Sequence, residues 1–196
     1  MFLRPTRDIG ELRRRYSVIR FCHPLLADDF IDLLKSQMCN DVVITVDEVE
    51  FKVHKAILVA RSPVFAAMFQ HNSKEQQSSR VDVPDMEHDV FREMLQYIYT
   101  GKADNLDDMA APLLAASDRY GLTHLKTSCE RFMIKQISVE NAFEQLIMAD
   151  LHLASQLKET VIKFINRNTS AVVKTDGWKT LVASHPHLVR EIYEKL

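Results

Sequence analysis

"FKVHKAILVARSPVFAAMF", residues 51–69, sets His54, Lys55, Arg61 and Ser62 inside a strongly apolar run. The stretch divides into four pieces. Val49, Phe51 and Val53 alternate with Glu48, Glu50 and Lys52, which predicts the second arm of a hairpin begun by "DVVITV" at 41–46. "KAILVAR" at 55–61 predicts a short apolar helix. Ser62-Pro63 then restarts the chain, with Ser62 as N-cap and Pro63 at the first helical position of a further helix. His54 stands where strand passes into helix, so its expected role is a structural hydrogen bond. A catalytic Ser62–His54 pair lacks the Gly-x-Ser-x-Gly elbow that would expose such a serine.

Upstream, "LLADDFIDLLKSQ" at 25–37 carries a helical stripe of Leu26, Phe30, Leu33 and Leu34, with Asp28 and Asp29 expected near its start, where the helix dipole favours acids. Downstream, the polar loop "HNSKEQQSS" leads to a short strand, "RVDV", and from Asp85 onward the pattern is helical throughout. "HDVFREMLQYIYTG" stops at Gly101 and "DDMAAPLLAASDRYG" at Gly121. "HLKTSCERFMIKQ" follows, Ser138 caps another helix, and "ASQLKETVIKFINRN", "DGWKTLVAS" and "PHLVREIYEKL" complete the chain. The expected class is α+β: an N-terminal flank at 1–24, a mixed unit at 25–135, and a purely helical unit at 136–196.

The chain has 196 residues, 46% hydrophobic and 27% charged, with a formal charge of −2. That balance argues against a general electrostatic grip on nucleic acid. Cys22, Cys39 and Cys129 are odd in number and widely spaced, which fits free thiols in a reducing compartment. No apolar run reaches the roughly 18–20 residues that span a bilayer, and "MFLRPTRDIGELRRRYSV" has no signal-peptide core. Intracellular residence is expected, which would leave the acceptor pattern Asn168-Thr169-Ser170 unused. Arg13, Arg14 and Arg15 read as a solvated flank.

No chemistry emerges from the remaining candidates. His185-Pro186-His187 has no second ligand pair at zinc-like spacing, and His124 with Cys129 is better explained as a surface histidine and a buried thiol. Four glycines build neither a P-loop nor a dinucleotide fingerprint. Asp107-Asp108 opens a helix, where the dipole accounts for it. No cofactor, metal or catalytic residue is expected. The stripe on 26–34 serves equally as core or as a surface for another chain, since four such side chains left in water would each forgo about 1.5–3 kcal/mol.

Together, "LADDF" at 26–30, residues 51–69, "FREMLQYIYTGKADNLDDMA" at 91–110, "LLAASDRYGL" at 113–122, "SVENAFEQLIMADLH" at 138–152 and "GWKTLVASHPHLVREIY" at 177–193 resemble a BTB/POZ domain with a BACK-type extension. The resemblance is to the MATH-BTB family and runs from about residue 25 to the end. It implies a BTB/POZ fold and a homodimer, or pairing with related BTB proteins, that brings a cullin-3-RING ubiquitin ligase to substrates marked for proteasomal degradation. It also implies residence in the nucleus or cytoplasm. By position, Leu26, Phe30 and Leu33 form the dimer surface and Ile57 packs against them from the partner. Tyr193 occupies the aromatic position of a second self-association surface, and helices at 138–165 correspond to the 3-box that extends the cullin contact.

Two departures stand out. The family's cullin motif is an apolar residue, any residue, then glutamate; here the loop reads Ser73-Lys74-Glu75. Loss of a buried anchor costs on the order of 1.5–3 kcal/mol, roughly ten- to a hundredfold in affinity, so weakened cullin binding is expected. Relatives also place a MATH sandwich before the BTB unit, whereas only 24 residues precede Leu25. "YSVIRFC" at 16–22 resembles a last MATH strand. The expectation is a chain without its own substrate domain, either a truncated isoform or incomplete sequence, or a short adaptor that pairs with full-length relatives. The alternative is a dimerising or transcriptional regulator, or a dominant-negative partner, that recruits no ligase.

Overall fold

The computed structural model describes residues 23–70 and 79–195. It opens with helix α1, His23–Ser36, and a hairpin of β1, Val42–Val46, and β2, Val49–Val53. Next come α2, Lys55–Arg61, and α3, Pro63–Gln70, then β3, Arg80–Asp82. Helices α4, His88–Thr100; α5, Leu106–Arg119; and α6, Thr123–Lys135, complete the first half. The second half holds α7, Ala142–Leu151; α8, Ser155–Arg167; a single turn α9, Thr169–Val172; α10, Asp176–Ser184; and α11, Pro186–Glu194.

The sheet has the order β2-β1-β3. β1 pairs antiparallel with β2, Val46 opposite Val49 and Val42 opposite Val53, and parallel with β3, Ile44 opposite Val81. β1 is central and apolar except for Thr45, and Val42, Ile44 and Val46 point into the core. On β2, Val53 is buried while Glu50 and Lys52 face solvent, as the alternation predicts. Glu48 differs from expectation: with Asp47 it forms the two-residue turn, both at positive φ, 64° and 48°. That is the twist a tight hairpin needs, reached without the usual glycine.

Asp28 and Asp29 also fall elsewhere than expected. α1 begins at His23, so both acids lie beyond its first turn and outside the reach of the N-terminal dipole. Ser138 does not open a regular helix. Its Oγ accepts from the Asn141 N–H at 3.4 Å and Asn141 Oδ1 accepts from the Ser138 N–H at 2.8 Å, a reciprocal lock around one turn before α7 begins at Ala142. The turn α9 has no counterpart in the sequence reading; four residues are too few to show a period.

One continuous core joins both halves, from Ile44, Leu58 and Phe65 through Phe91, Leu114 and Leu125 to Phe143, Leu157 and Leu181. A buried carboxylate helps to join them. Glu130 on α6 accepts the N–H of Leu157 at 3.0 Å, satisfying a donor in the first turn of α8 that has no partner within its own helix. Among the described residues, no helix is long and apolar enough to cross a membrane.

Candidate protein–protein interfaces

His54 and Ser62, the two residues of 51–69 that could have suggested catalysis, are engaged in architecture. The His54 backbone N–H donates to the Tyr99 hydroxyl oxygen at 3.0 Å. The His54 ring lies between that hydroxyl, 2.8 Å from Nδ1, and the Met38 carbonyl, 2.7 Å from Nε2. A carbonyl can only accept, so Nε2 carries the proton and Nδ1 accepts from Tyr99 O–H. Burial pushes the Tyr99 phenol up to about 12. Ser62 is buried; its hydroxyl donates to the Tyr120 carbonyl at 2.7 Å and accepts from the Phe65 N–H at 3.2 Å. The N-cap is therefore real, and it also ties α3 to the end of α5. Neither side chain has a free valence for catalysis.

These ties fix a shallow apolar groove of about 290 Å³ between α1, α2 and the end of α4. Leu26, Ala27 and Phe30 come from α1, Ile57 and Ala60 from α2, and Ile98 to Gly101 from α4. Gly101 ends α4 in the left-handed conformation, φ 74°, and beside it Arg61 Nε donates to the Ile98 carbonyl at 3.1 Å. Leu26 is 55% exposed, a large apolar side chain presented to solvent from a folded helix. The α1 stripe is split in use. Phe30 and Leu34 pack against the core, whereas Leu26 faces outward. Leu26, Phe30 and Ile57 share this groove within one chain; Leu33, half-buried, does not line it.

A larger concavity, about 460 Å³, lies between the start of α4 and the end of α5. Met86, Glu87, Val90, Arg119 and His152 line it, and Arg119 reaches across to the Pro84 carbonyl at 3.1 Å. Beside His152, at the α7–α8 corner, Leu151 and Leu153 are 69% and 77% exposed. Leu153 is also held at φ 51°, uncommon for a bulky residue. No periodicity marks this corner, so the sequence did not single it out. Ser73, Lys74 and Glu75 lie outside the described residues, in the connection between α3 and β3.

Tyr193, 64% exposed, sits on α11 beside the buried Ile192. α11 is clasped to α7 and α8 by a charged cluster. Lys158 Nζ lies 2.8 Å from Asp150 and 2.7 Å from Glu191, and His187 Nε2 is 2.8 Å from Asp150. The hydrogen bond from Lys158, followed by that from His187, holds the Asp150 carboxyl below the ordinary range. Desolvation pulls the Lys158 ammonium down, but its bonds to Asp150 and Glu191 outweigh that and raise it. His187 is thus a clasp residue. Cys129 is buried and His124 exposed, so those two form no pair. Among the described residues, no group of three His, Cys, Asp or Glu side chains could hold a metal.

Residues 30–137, more than half of the chain, match the BTB/POZ domain family, and the chain belongs to it. Residues 141–193 match the BPM/SPOP BACK domain, so a BACK-type helical unit follows the BTB domain. Among solved structures, the BTB domain of zebrafish PATZ1 superposes with a TM-score of 0.50 at 24% identity, over 60% of this chain and 94% of that one, a likeness of fold.

Proposed function

We propose that this chain is a dimeric, non-enzymatic adaptor of a cullin-3-RING ubiquitin ligase. The observation that carries the reading is the presence in one chain of a BTB/POZ domain and a BPM/SPOP-type BACK domain. The geometry is consistent with it. The Leu26–Phe30–Ile57 groove supplies an apolar patch for a second copy to cover, and the exposed Tyr193 is the proposed second contact at the far end of the chain. The concavity at Arg119 and His152 is lined from Asp85 onward, just after β3, and the exposed Leu151 and Leu153 lie beside it at the α7–α8 corner, the proposed cullin contact. Such a protein would act in the nucleus or cytoplasm, in keeping with the free thiols of Cys39 and Cys129.

Leu26→Asp with Ile57→Asp puts two carboxylates into the groove, so light scattering should report a monomer that keeps its helical circular dichroism. A persistent dimer would exclude this interface. Ser73 favours a second reading, a BTB dimer that regulates its relatives without recruiting a ligase. Titration of cullin-3 separates the two. An adaptor with a missing anchor gains roughly ten- to a hundredfold in affinity with Ser73→Met, whereas a regulator shows no binding in either form.

A further inference from the structure

The sheet leaves one edge with unpaired backbone. Val43 donates its N–H to the Ser79 carbonyl at 2.8 Å, and the Thr45 carbonyl accepts from the Val83 N–H at 2.9 Å, so these two residues of β1 face β3. Val42, Ile44 and Val46 therefore face β2, opposite Val53, Phe51 and Val49. Glu50 and Lys52 turn their N–H and C=O groups the other way, to the free edge of the β2-β1-β3 sheet, where those groups have no partner among the described residues. A groove of about 340 Å³ follows this edge. All 5 residues of β2 line it, whereas a groove over one face of a strand would touch only alternate residues. Ile31 and Leu34 of α1 and Leu95 of α4 form its apolar wall. Phe51 packs against Phe91 of α4 at 5.0 Å, so Val49, Phe51 and Val53 are the β2 side chains on the helix side.

The charges along the groove select its occupant. Lys35, in the last turn of α1, and Lys52 both line it, and neither has an ion-pair partner among the described residues. Arg92 joins them, its guanidinium 6.0 Å from the centre of the Phe51 ring and paired with Asp89. Glu50 is the only acid in the lining, and Arg80 already binds it at 2.7 Å. A free strand edge pairs with an extended backbone of any sequence, and alternate side chains then decide which sequence fits. Side chains of an added strand beside Phe51 would meet the apolar wall, and those beside Lys52 would meet uncompensated ammonium charge. We propose that the β2 edge takes an extended segment of a partner protein as an added strand, its apolar residues alternating with aspartate or glutamate. The backbone of that segment bonds to Glu50 and Lys52, its apolar side chains enter the groove, and its carboxylates pair with Lys52 and Lys35.

The test is a titration of the full chain with a fluorescein-labelled peptide, DVEVDVE, read by anisotropy. The peptide should bind, and its analogue N-methylated at every residue, with the same charges and no backbone donor, should bind at least about tenfold more weakly. Lys35→Glu with Lys52→Glu should also lose about tenfold, as two surface attractions become repulsions. Glu50→Gln removes the one acid and should bind more tightly. Glu50→Pro removes the same charge together with an edge donor, a change that an edge strand tolerates, and should bind about tenfold more weakly than Glu50→Gln. Exchange of the Glu50 and Lys52 amides should be fast in the free chain and slow with peptide bound. Leu26→Asp with Ile57→Asp should leave peptide binding unchanged, which keeps this test separate from that of the ligase reading. Equal affinity for DVEVDVE and its N-methylated analogue would overturn the proposal, since charge alone would then hold the peptide, and so would absence of binding at about 1 mM peptide. Slow exchange of the two amides without peptide, growing with chain concentration, would overturn it too, because a second copy would then occupy the edge.

Discussion

His54 shows how one side chain can mimic a catalytic residue while serving as a fastener. It spans the turn after α1, through the Met38 carbonyl, and α4, through Tyr99. Tyr99→Phe would leave both the His54 N–H and Nδ1 without their partner, so urea unfolding should show a loss of about 1–3 kcal/mol. The phenol also predicts an alkaline limit. Its folded pKa of about 12 lies above the unfolded value of 10.0, so the folded state holds the proton more tightly. Its contribution is complete below about pH 10 and falls as pH rises towards 12. Cys129, pushed up to about 12 by burial, acts in the same direction. Denaturation midpoints measured from pH 8 to 11 should fall at the upper end, and less steeply in Tyr99→Phe. The expectation of a structural role for His54 came from its position between strand and helix. Its partner Tyr99, 45 residues away, leaves no mark in local sequence. The cap at Ser62 was legible because an N-cap is a local device, whereas its second bond, to Tyr120, was not.

Among the elements, α2 and α3 depend on contact with the end of α5. Gly121 follows that helix at φ 67°, and a Cβ built there would lie 2.6 Å from Pro63 Cγ. Gly121→Ala therefore meets two obstacles, a left-handed backbone costing about 1–2 kcal/mol and a rigid proline ring. Thermal unfolding should show a midpoint lower by roughly 2–8 °C. Ser62→Ala should cost about 0.5–2 kcal/mol through the cap alone. A double variant that loses less than the sum would show that the two residues hold the same junction. Strong periodicity made α4, α8 and α11 legible, and Gly101 and Gly121 marked true ends. The register of α1 was less clear. Apolar residues at 26, 30, 33 and 34 identify the helix, but they do not say which of them the fold keeps for itself. Phe30 and Leu34 go inward and Leu26 outward only because of where α4 lies.

For the molecule as a whole, the order of units could be read from the sequence because segments of a BTB domain and a BACK domain follow one another almost without insertion. The grooves could not, since each is formed by elements far apart in the chain. The clasp of α11 belongs to this scale too. Asp150 is held below the ordinary carboxylate range, so its contribution is present above about pH 4 and is lost as acid protonates it. Hydrogen exchange across 186–194 should quicken as pH falls below 4, after correction for intrinsic rates, and Asp150→Asn should show the quickened exchange already at neutral pH. The sheet adds a consequence in time. β1 and β2 can close as a local hairpin, but the other edge of the valine-rich β1 is covered only when β3 arrives in parallel at residues 80–82. At about 5–20 residues per second, a ribosome leaves that edge open for roughly 2–7 seconds. During synthesis, neighbouring nascent chains on one message could pair through it, so the order of strands makes the pace of translation part of the folding problem.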